Sequence, residues 1–188
     1  MFEPFYPQEI WDSTYDIPFE TWKDRGIKGV IFDIDNTLVP HGAPADERAI
    51  ALFEHLKKLG FKTCLLSNNK EARVKPFASQ VKSPYIHKGG KPSKRGYKNA
   101  MACMGTGPKE TLFVGDQLFT DVYGANRAGL KSILVKPIDP KEEIQIVLKR
   151  YLERPVLYFY RKSRKKNLKN MDTKNVKEEY LYDISRRF

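Results

Sequence analysis

Gly29-Val-Ile-Phe-Asp33-Ile-Asp35-Asn36-Thr37 is the stretch on which the reading of this chain turns. A short apolar run with no polar alternation ends abruptly in two acids separated by one residue. Such a run fits a strand buried on both faces, as strands of a parallel sheet are. While the chain stays extended, Asp33 and Asp35 lie on the same side. Like charges crowded at a strand end are costly unless a cation or a function compensates. Taken alone, the pair is also what an ordinary polar loop carries.

Outward from this stretch, strands and helices alternate. Residues 45–59 form a helix opened by Pro44 and Asp46, with Ile50, Leu52, Phe53 and Leu56 apolar at helical spacing and Gly60 as the stop. The pattern then predicts a strand at 61–66, a charged helix at about 70–80 and a brief strand at 85–87. A helix at 93–104, a strand at 111–114, a helix at about 120–127, a strand at 132–135 and a last helix from 140 to about 152 follow. Five strands alternating with helices imply an α/β fold: a five-stranded parallel sheet with helices on both faces and right-handed crossovers. Ligands in such sheets bind beyond the carboxyl ends of the strands, where strand order reverses. We expect three parts: residues 1–27 as an aromatic-rich extension packed on the domain, 28–153 as the domain, and 154–188 as an aromatic and basic extension.

The polar residues after each apolar run are therefore candidates for one crevice. Gly115-Asp116-Gln-Leu-Phe-Thr120-Asp121 follows the fourth expected strand. Helix capping explains one acid there, but not the accumulation of acids at two strand ends. A hard divalent cation does, because Mg2+ takes oxygen ligands from a few carboxylates and keeps positions for water and phosphate oxygens. Ser67, in Leu66-Ser67-Asn68-Asn69, offers a hydroxyl near a helix start, and Asn68 is either a phosphate contact or a turn residue. Lys91, in Lys88-Gly-Gly-Lys91-Pro92, pairs with a phosphate or offsets the acids, or it is a solvated surface residue. His41, in the loop after the first acids, is either a substrate contact or an exposed side chain.

Together these stations resemble the four sequence motifs of the haloacid dehalogenase superfamily, over about residues 28–137. The wording Phe-Asp-Ile-Asp-Asn-Thr-Leu-Val, Leu-Ser-Asn-Asn, Lys-Pro and Gly-Asp-Gln-Leu-Phe-Thr-Asp is similar to the bacterial YqeG group of subclass IIIA. That group is in turn similar to phosphatidylglycerophosphate phosphatase. The resemblance implies a Mg2+-dependent phosphatase working through an aspartyl-phosphate. In it Asp33 is the nucleophile and Asp35 the general acid and base. Asp33, Asp116 and the Asp35 backbone carbonyl hold the metal. Ser67, Asn68 and Lys91 bind the phosphoryl group, while Thr37, Gly115 and Asp121 support them.

Short segments at both usual insertion points, 38–45 and 67–91, leave no room for a large cap, so the site is expected to be open. The resemblance points to an anionic lipid phosphomonoester. Phosphates at nucleic-acid ends and small sugar or nucleotide phosphates are the alternatives, as is, in another class, a scaffold that binds RNA or ribosomes.

The net charge of +11 favours anionic partners. From Arg161 onward ten Lys/Arg face four Asp/Glu, so +6 of it lies there. That tail follows Val156-Leu-Tyr-Phe-Tyr160, a combination suited to anionic headgroups, although a basic tail serves nucleic acid as well and a solvated tail needs neither. No apolar run approaches the ~20 residues of a membrane span and no secretory leader is evident. Cys64 and Cys103 read as buried free thiols. The expected location is cytoplasmic, with peripheral contact at the inner face of the membrane. Oligomeric state is not legible.

Overall fold

The computed structural model describes residues 2–139 and 144–170, the stretches 144–150 and 165–170 by backbone alone. One compact unit is Pro7–Lys141; the described residues of Met1–Tyr6 and Glu142–Phe188 form a second.

The first unit is an α/β sandwich around a parallel sheet. Its strands are β1 (Glu9–Trp11), β2 (Gly29–Phe32), β3 (Lys62–Leu66), β4 (Tyr85–Ile86), β5 (Thr111–Gly115) and β6 (Lys131–Val135). Its helices are α1 (Phe19–Asp24), α2 (Glu47–Lys58), α3 (Glu71–Val81), α4 (Lys94–Met104) and α5 (Tyr123–Arg127). The strand order is β1-β6-β5-β2-β3-β4, every pairing parallel. The chain builds outward from β2 through β3 to β4, then returns to the other side of β2 as β5 and β6. Strand order therefore reverses between β2 and β5, which opens a crevice beyond their carboxyl ends.

Burial shows why the sheet needs helices on both sides. Val30, Phe32, Leu65, Leu112 and Val114 pack with α1, α2 and α3, whereas Ile31, Cys64, Leu66 and Phe113 pack with α4 and α5. Alternate residues of each strand thus feed opposite layers, and removing one of these large side chains from water is worth about 1.5–3 kcal/mol. Asp46 caps α2 by accepting from Ala49 N at 2.8 Å, and Gly105, in the left-handed region, closes α4.

The sheet has six strands where five were expected. The sixth, β1, lies within the aromatic N-terminal stretch and pairs with β6, Glu9 opposite Ile133 and Trp11 opposite Val135. Its three residues are only half-buried, so they lack the apolar run by which the inner strands are recognised. Cys103 also departs from expectation, being exposed where Cys64 is buried. α4 turns Ala100, Met101 and Met104 inward, which leaves position 103 on the outer side. The expected helix at 120–127 begins instead with a single π turn, Leu118–Val122, that runs into α5.

In the second unit α6 spans Ile144–Asn170, past the expected end near 152; the expected start at 140 falls outside the described residues. Pro155 lies inside it. A proline costs an interior helix about 3 kcal/mol, yet Leu, Arg and Lys on either side favour the helix. Phe159 stacks on Phe2 and Tyr160 meets Tyr6 edge-on. Among the described residues no helix is long and apolar enough to cross a membrane.

Candidate active site

The loops after β2, β3, β4 and β5 converge at the crevice. Asp33 follows β2 directly, its N–H still in the ladder to the Val114 carbonyl. Its carboxylate is buried and accepts from Lys91 Nζ at 2.6 Å through Oδ1. The same ammonium donates to Asp121 Oδ1 at 2.7 Å. Asp33, Asp116 and Asp121 each offer an oxygen within 4.8 Å of the other two. The acids from two distant stretches of sequence thus meet in one place.

Lys91 is fixed by its own backbone. Asn68 accepts from Lys91 N at 2.7 Å and donates to the Lys91 carbonyl at 3.1 Å, so its amide clasps the lysine segment. Ser67 is buried beside it and accepts from Asn69 N at 3.1 Å. The Gly-Gly pair before Lys91 suits this turn. A Cβ at Gly89 would stand 2.4 Å from Leu66 Cδ1, and Gly90 has φ +66°. Gly115 is needed for a similar reason, since a Cβ there would lie 2.5 Å from Asp121 Oδ2. That oxygen accepts from Gln117 N at 3.0 Å, so both Asp121 oxygens have donors. Thr37 donates to Asp116 Oδ1 at 3.3 Å.

The electrostatics follow from this crowding. Burial pushes the Asp33 carboxyl up to about 7, further raised by Asp121 and Asp35 and opposed by Lys91. Burial alone would depress the Lys91 ammonium, but Asp121 and Asp33 outweigh it and hold it above its ordinary value. With all three ionised, the carboxylates exceed the single ammonium by two negative charges, the charge of one divalent cation. The Asp35 carbonyl accepts no hydrogen bond among the described residues. The donor set, all hard oxygen, fits Mg2+.

Asp35 stands apart from that cluster. Its Oδ1 accepts from Gly42 N at 2.8 Å and from Arg73 Nη2 at 2.8 Å, with Arg73 Nε at 3.3 Å. Its Oδ2 accepts from Asn69 Nδ2 at 2.7 Å. Neither Asn69 nor Arg73 was among the residues singled out from sequence. Their residue types alone do not mark them: the loop after β3 brings Asn69, and the first turn of α3 brings Arg73, to Asp35. His41 is exposed, with no polar partner among the described residues.

Sequence reading also missed the supports from outside the motifs. Thr14 donates to the Thr37 carbonyl at 2.7 Å and Tyr15 to the Leu38 carbonyl at 2.6 Å, tying the loop after Asp33 to the N-terminal stretch. Burial, with Asp46, raises the Tyr15 phenol to about 12. From the other face, the Tyr97 hydroxyl donates to the carbonyls of Thr120 and Asp121 at 2.8 and 3.1 Å. A Cβ at Gly124 would meet that hydroxyl at 2.4 Å.

Comparison with known proteins places this arrangement. The haloacid dehalogenase-like hydrolase profile matches residues 43–129. The probable phosphatase YqeG of Bacillus subtilis is 38% identical over 81% of this chain and 90% of its own length. The chloroplastic/mitochondrial phosphatidylglycerophosphate phosphatase 1 of Arabidopsis thaliana is 29% identical over 83% of this chain, which spans about half, 47%, of that longer protein. A solved structure of an uncharacterized protein from Corynebacterium glutamicum superposes with a TM-score of 0.51 at 23% identity, over 66% of this chain and 92% of that one. It shares the fold.

Proposed function

The chain belongs to the haloacid dehalogenase-like hydrolases and is a phosphatase, and from that premise we propose that it hydrolyses phosphomonoesters through a phosphoryl group carried on Asp33. The observation that carries the reading is the convergence of Asp33, Asp116 and Asp121 on one another with Lys91 between two of them.

In the first step an Asp33 carboxylate oxygen bonds to phosphorus while the bond from phosphorus to the ester oxygen breaks. Asp35 gives its proton to that leaving oxygen. In the second, water attacks phosphorus, Asp35 takes the water's proton, and inorganic phosphate leaves Asp33 free. Lys91 and the Ser67 hydroxyl face the phosphoryl oxygens and offset their growing charge. Asn68 acts through Lys91 by gripping its backbone. Asp121 holds the lysine, Gly115 makes space for Asp121 and Thr37 orients Asp116. Asp33, Asp116 and the Asp35 carbonyl would hold Mg2+, which would supply positive charge to the phosphate when bound.

For the substrate we favour an anionic lipid phosphate, with phosphatidylglycerophosphate as the leading candidate. The names of its longer relatives suggest it, and the short loops around the crevice leave access to a headgroup on a surface. α6 adds a second support. Tyr151, Leu152, Tyr158 and Phe159 are exposed and, with Pro155, fall at helical spacing on one face. Nine Lys/Arg against one Glu lie along residues 144–170. Exposed aromatic and apolar side chains on a strongly basic helix suit peripheral contact with an anionic membrane at its cytoplasmic side.

Hydrolysis rates with Mg2+ on phosphatidylglycerophosphate in mixed micelles, oligonucleotide phosphates and sugar phosphates test the assignment. Preference for the lipid by at least roughly tenfold in kcat/KM, on the scale of differential binding in a pocket, is expected. Equal turnover of all three removes the lipid assignment and leaves the chemistry standing.

A further inference from the structure

Asp35 is gripped unequally, and the inequality falls between its two oxygens. Oδ1 accepts from the Gly42 amide at 2.8 Å and from the Arg73 guanidinium, Nη2 at 2.8 Å and Nε at 3.3 Å. Oδ2 has Asn69 Nδ2 at 2.7 Å as its single donor among the described residues. A carboxylate oxygen has two lone pairs. Both of those on Oδ1 are engaged, whereas Oδ2 keeps one for another partner.

The three donors come from three separate segments: the loop after Asp35, the loop after β3 and the first turn of α3. A carboxylate bound from three directions is restrained in both rotation and tilt, and a charge-assisted guanidinium contact is the strongest of these restraints. The Arg73–Asp35 pair is largely shielded, with side-chain exposures of 20% and 12%. The Arg73 guanidinium also lies 5.7 Å from the Phe77 ring centroid within α3, so the cation is itself held from behind.

We infer that Arg73 is a positioning residue that pins Oδ1 of Asp35 and so makes Oδ2 the oxygen that exchanges the proton with the leaving group and then with water. Asn69 sets the angle of that oxygen. The inference rests on the acid–base assignment of Asp35 made above. As the ester oxygen departs, the proton leaves Oδ2 while the bond from phosphorus to oxygen breaks, and Oδ2 becomes a carboxylate oxygen facing Asn69; in the second step the attacking water returns a proton to it. Misplacing such a group by a fraction of an ångström is enough to lower the rate of proton transfer, because the transfer needs hydrogen-bond distance at the moment of reaction.

The test uses the full chain with Mg2+ and three phosphate monoesters of similar size: p-nitrophenyl, phenyl and benzyl phosphate. Their leaving oxygens need increasing help from an acid in that order, and kcat/KM for this reaction reports events up to loss of the leaving group. In Arg73→Met, kcat/KM for benzyl phosphate is expected to fall by about ten- to a hundredfold, and for p-nitrophenyl phosphate by roughly threefold or less. Arg73→Lys, which keeps the charge and loses the two-pronged grip, should show the same trend with a smaller slope and serves alone if the methionine variant does not fold. In an Asp35→Asn background, Arg73→Met should add no further leaving-group dependence, because the group it positions is gone.

An equal loss on all three substrates would reduce Arg73 to a structural residue and overturn the inference, as would full additivity with Asp35→Asn. Asp33→Asn is the control for the underlying chemistry. If that variant keeps Mg2+-dependent turnover, the phosphatase mechanism fails. If it loses all turnover while Arg73→Met loses equally on each ester, only the positioning role fails.

Discussion

Asp33 and Asp35 are two residues apart on one loop and live in different surroundings. Asp33 is buried with two other carboxylates and shares a single ammonium with one of them. Asp35 stands nearer solvent, held by an amide N–H, a carboxamide and a guanidinium. The first environment is short of positive charge and suits a cation and an electrophile. The second is filled with donors and suits a group that must be aimed. Environment can divide two identical side chains into two roles, as it does for paired carboxylates in other hydrolases.

The sharpest way to break that division is to remove each carboxylate in turn. Asp33→Asn should lose roughly four orders of magnitude in kcat on p-nitrophenyl phosphate with Mg2+, because no path remains to the covalent step. Asp35→Asn should lose less, about 10²–10³-fold, within the range of a lost acid or base. Equal residual rates in the two variants would argue against separate roles.

Lys91 tests the charge balance at the buried end. Lys91→Met leaves Asp33 and Asp121 facing each other without their cation, a change that costs about 3–5 kcal/mol when a buried pair is broken. Urea unfolding should show that loss without added metal, and Mg2+ should restore part of it. No loss of stability would mean that the two acids are not charged together in the fold.

The smallest effect concerns pH. With its pKa raised to about 7 in the fold, Asp33 favours the folded state fully below the ordinary carboxylate range. That contribution is lost as pH rises through 7. A carboxamide cannot ionise, so in chelator Asp33→Asn should melt above the parent at pH 8, and the gap should narrow as pH falls below 7. Thermal melts across that window measure it. A gap that widens toward acid would reverse the sign and contradict the burial argument.

The contrast between the two acids also marks how far the sequence could be read. β2, β3 and β5 were legible because strands covered on both faces need unbroken apolar runs, and the polar residues after them fell into the crevice that the strand order dictates. β1 was not, because its edge position leaves Glu9, Ile10 and Trp11 half-buried and its partner β6 lies far along the chain. Asp33, Asp116 and Lys91 were marked by the resemblance of the motifs that hold them, since each taken alone also fits a loop, cap or surface residue. Arg73, Asn69, Thr14 and Tyr97 did not: an arginine in a first helical turn or a buried tyrosine takes its meaning from what the fold places opposite. The metal-ligand and phosphate-binding roles are proposals that rest on the convergence of the acids.

Hydrolysis by this route requires that phosphorus become bonded to Asp33. Asp35→Asn, mixed with Mg2+ and radiolabelled phosphomonoester, quenched in acid within a turnover and mapped by peptide mass, measures this directly. Label on the peptide that contains Asp33, lost on mild alkali or hydroxylamine, is the predicted result. Release of labelled phosphate with no label on that peptide at any time would contradict it and favour direct attack by water.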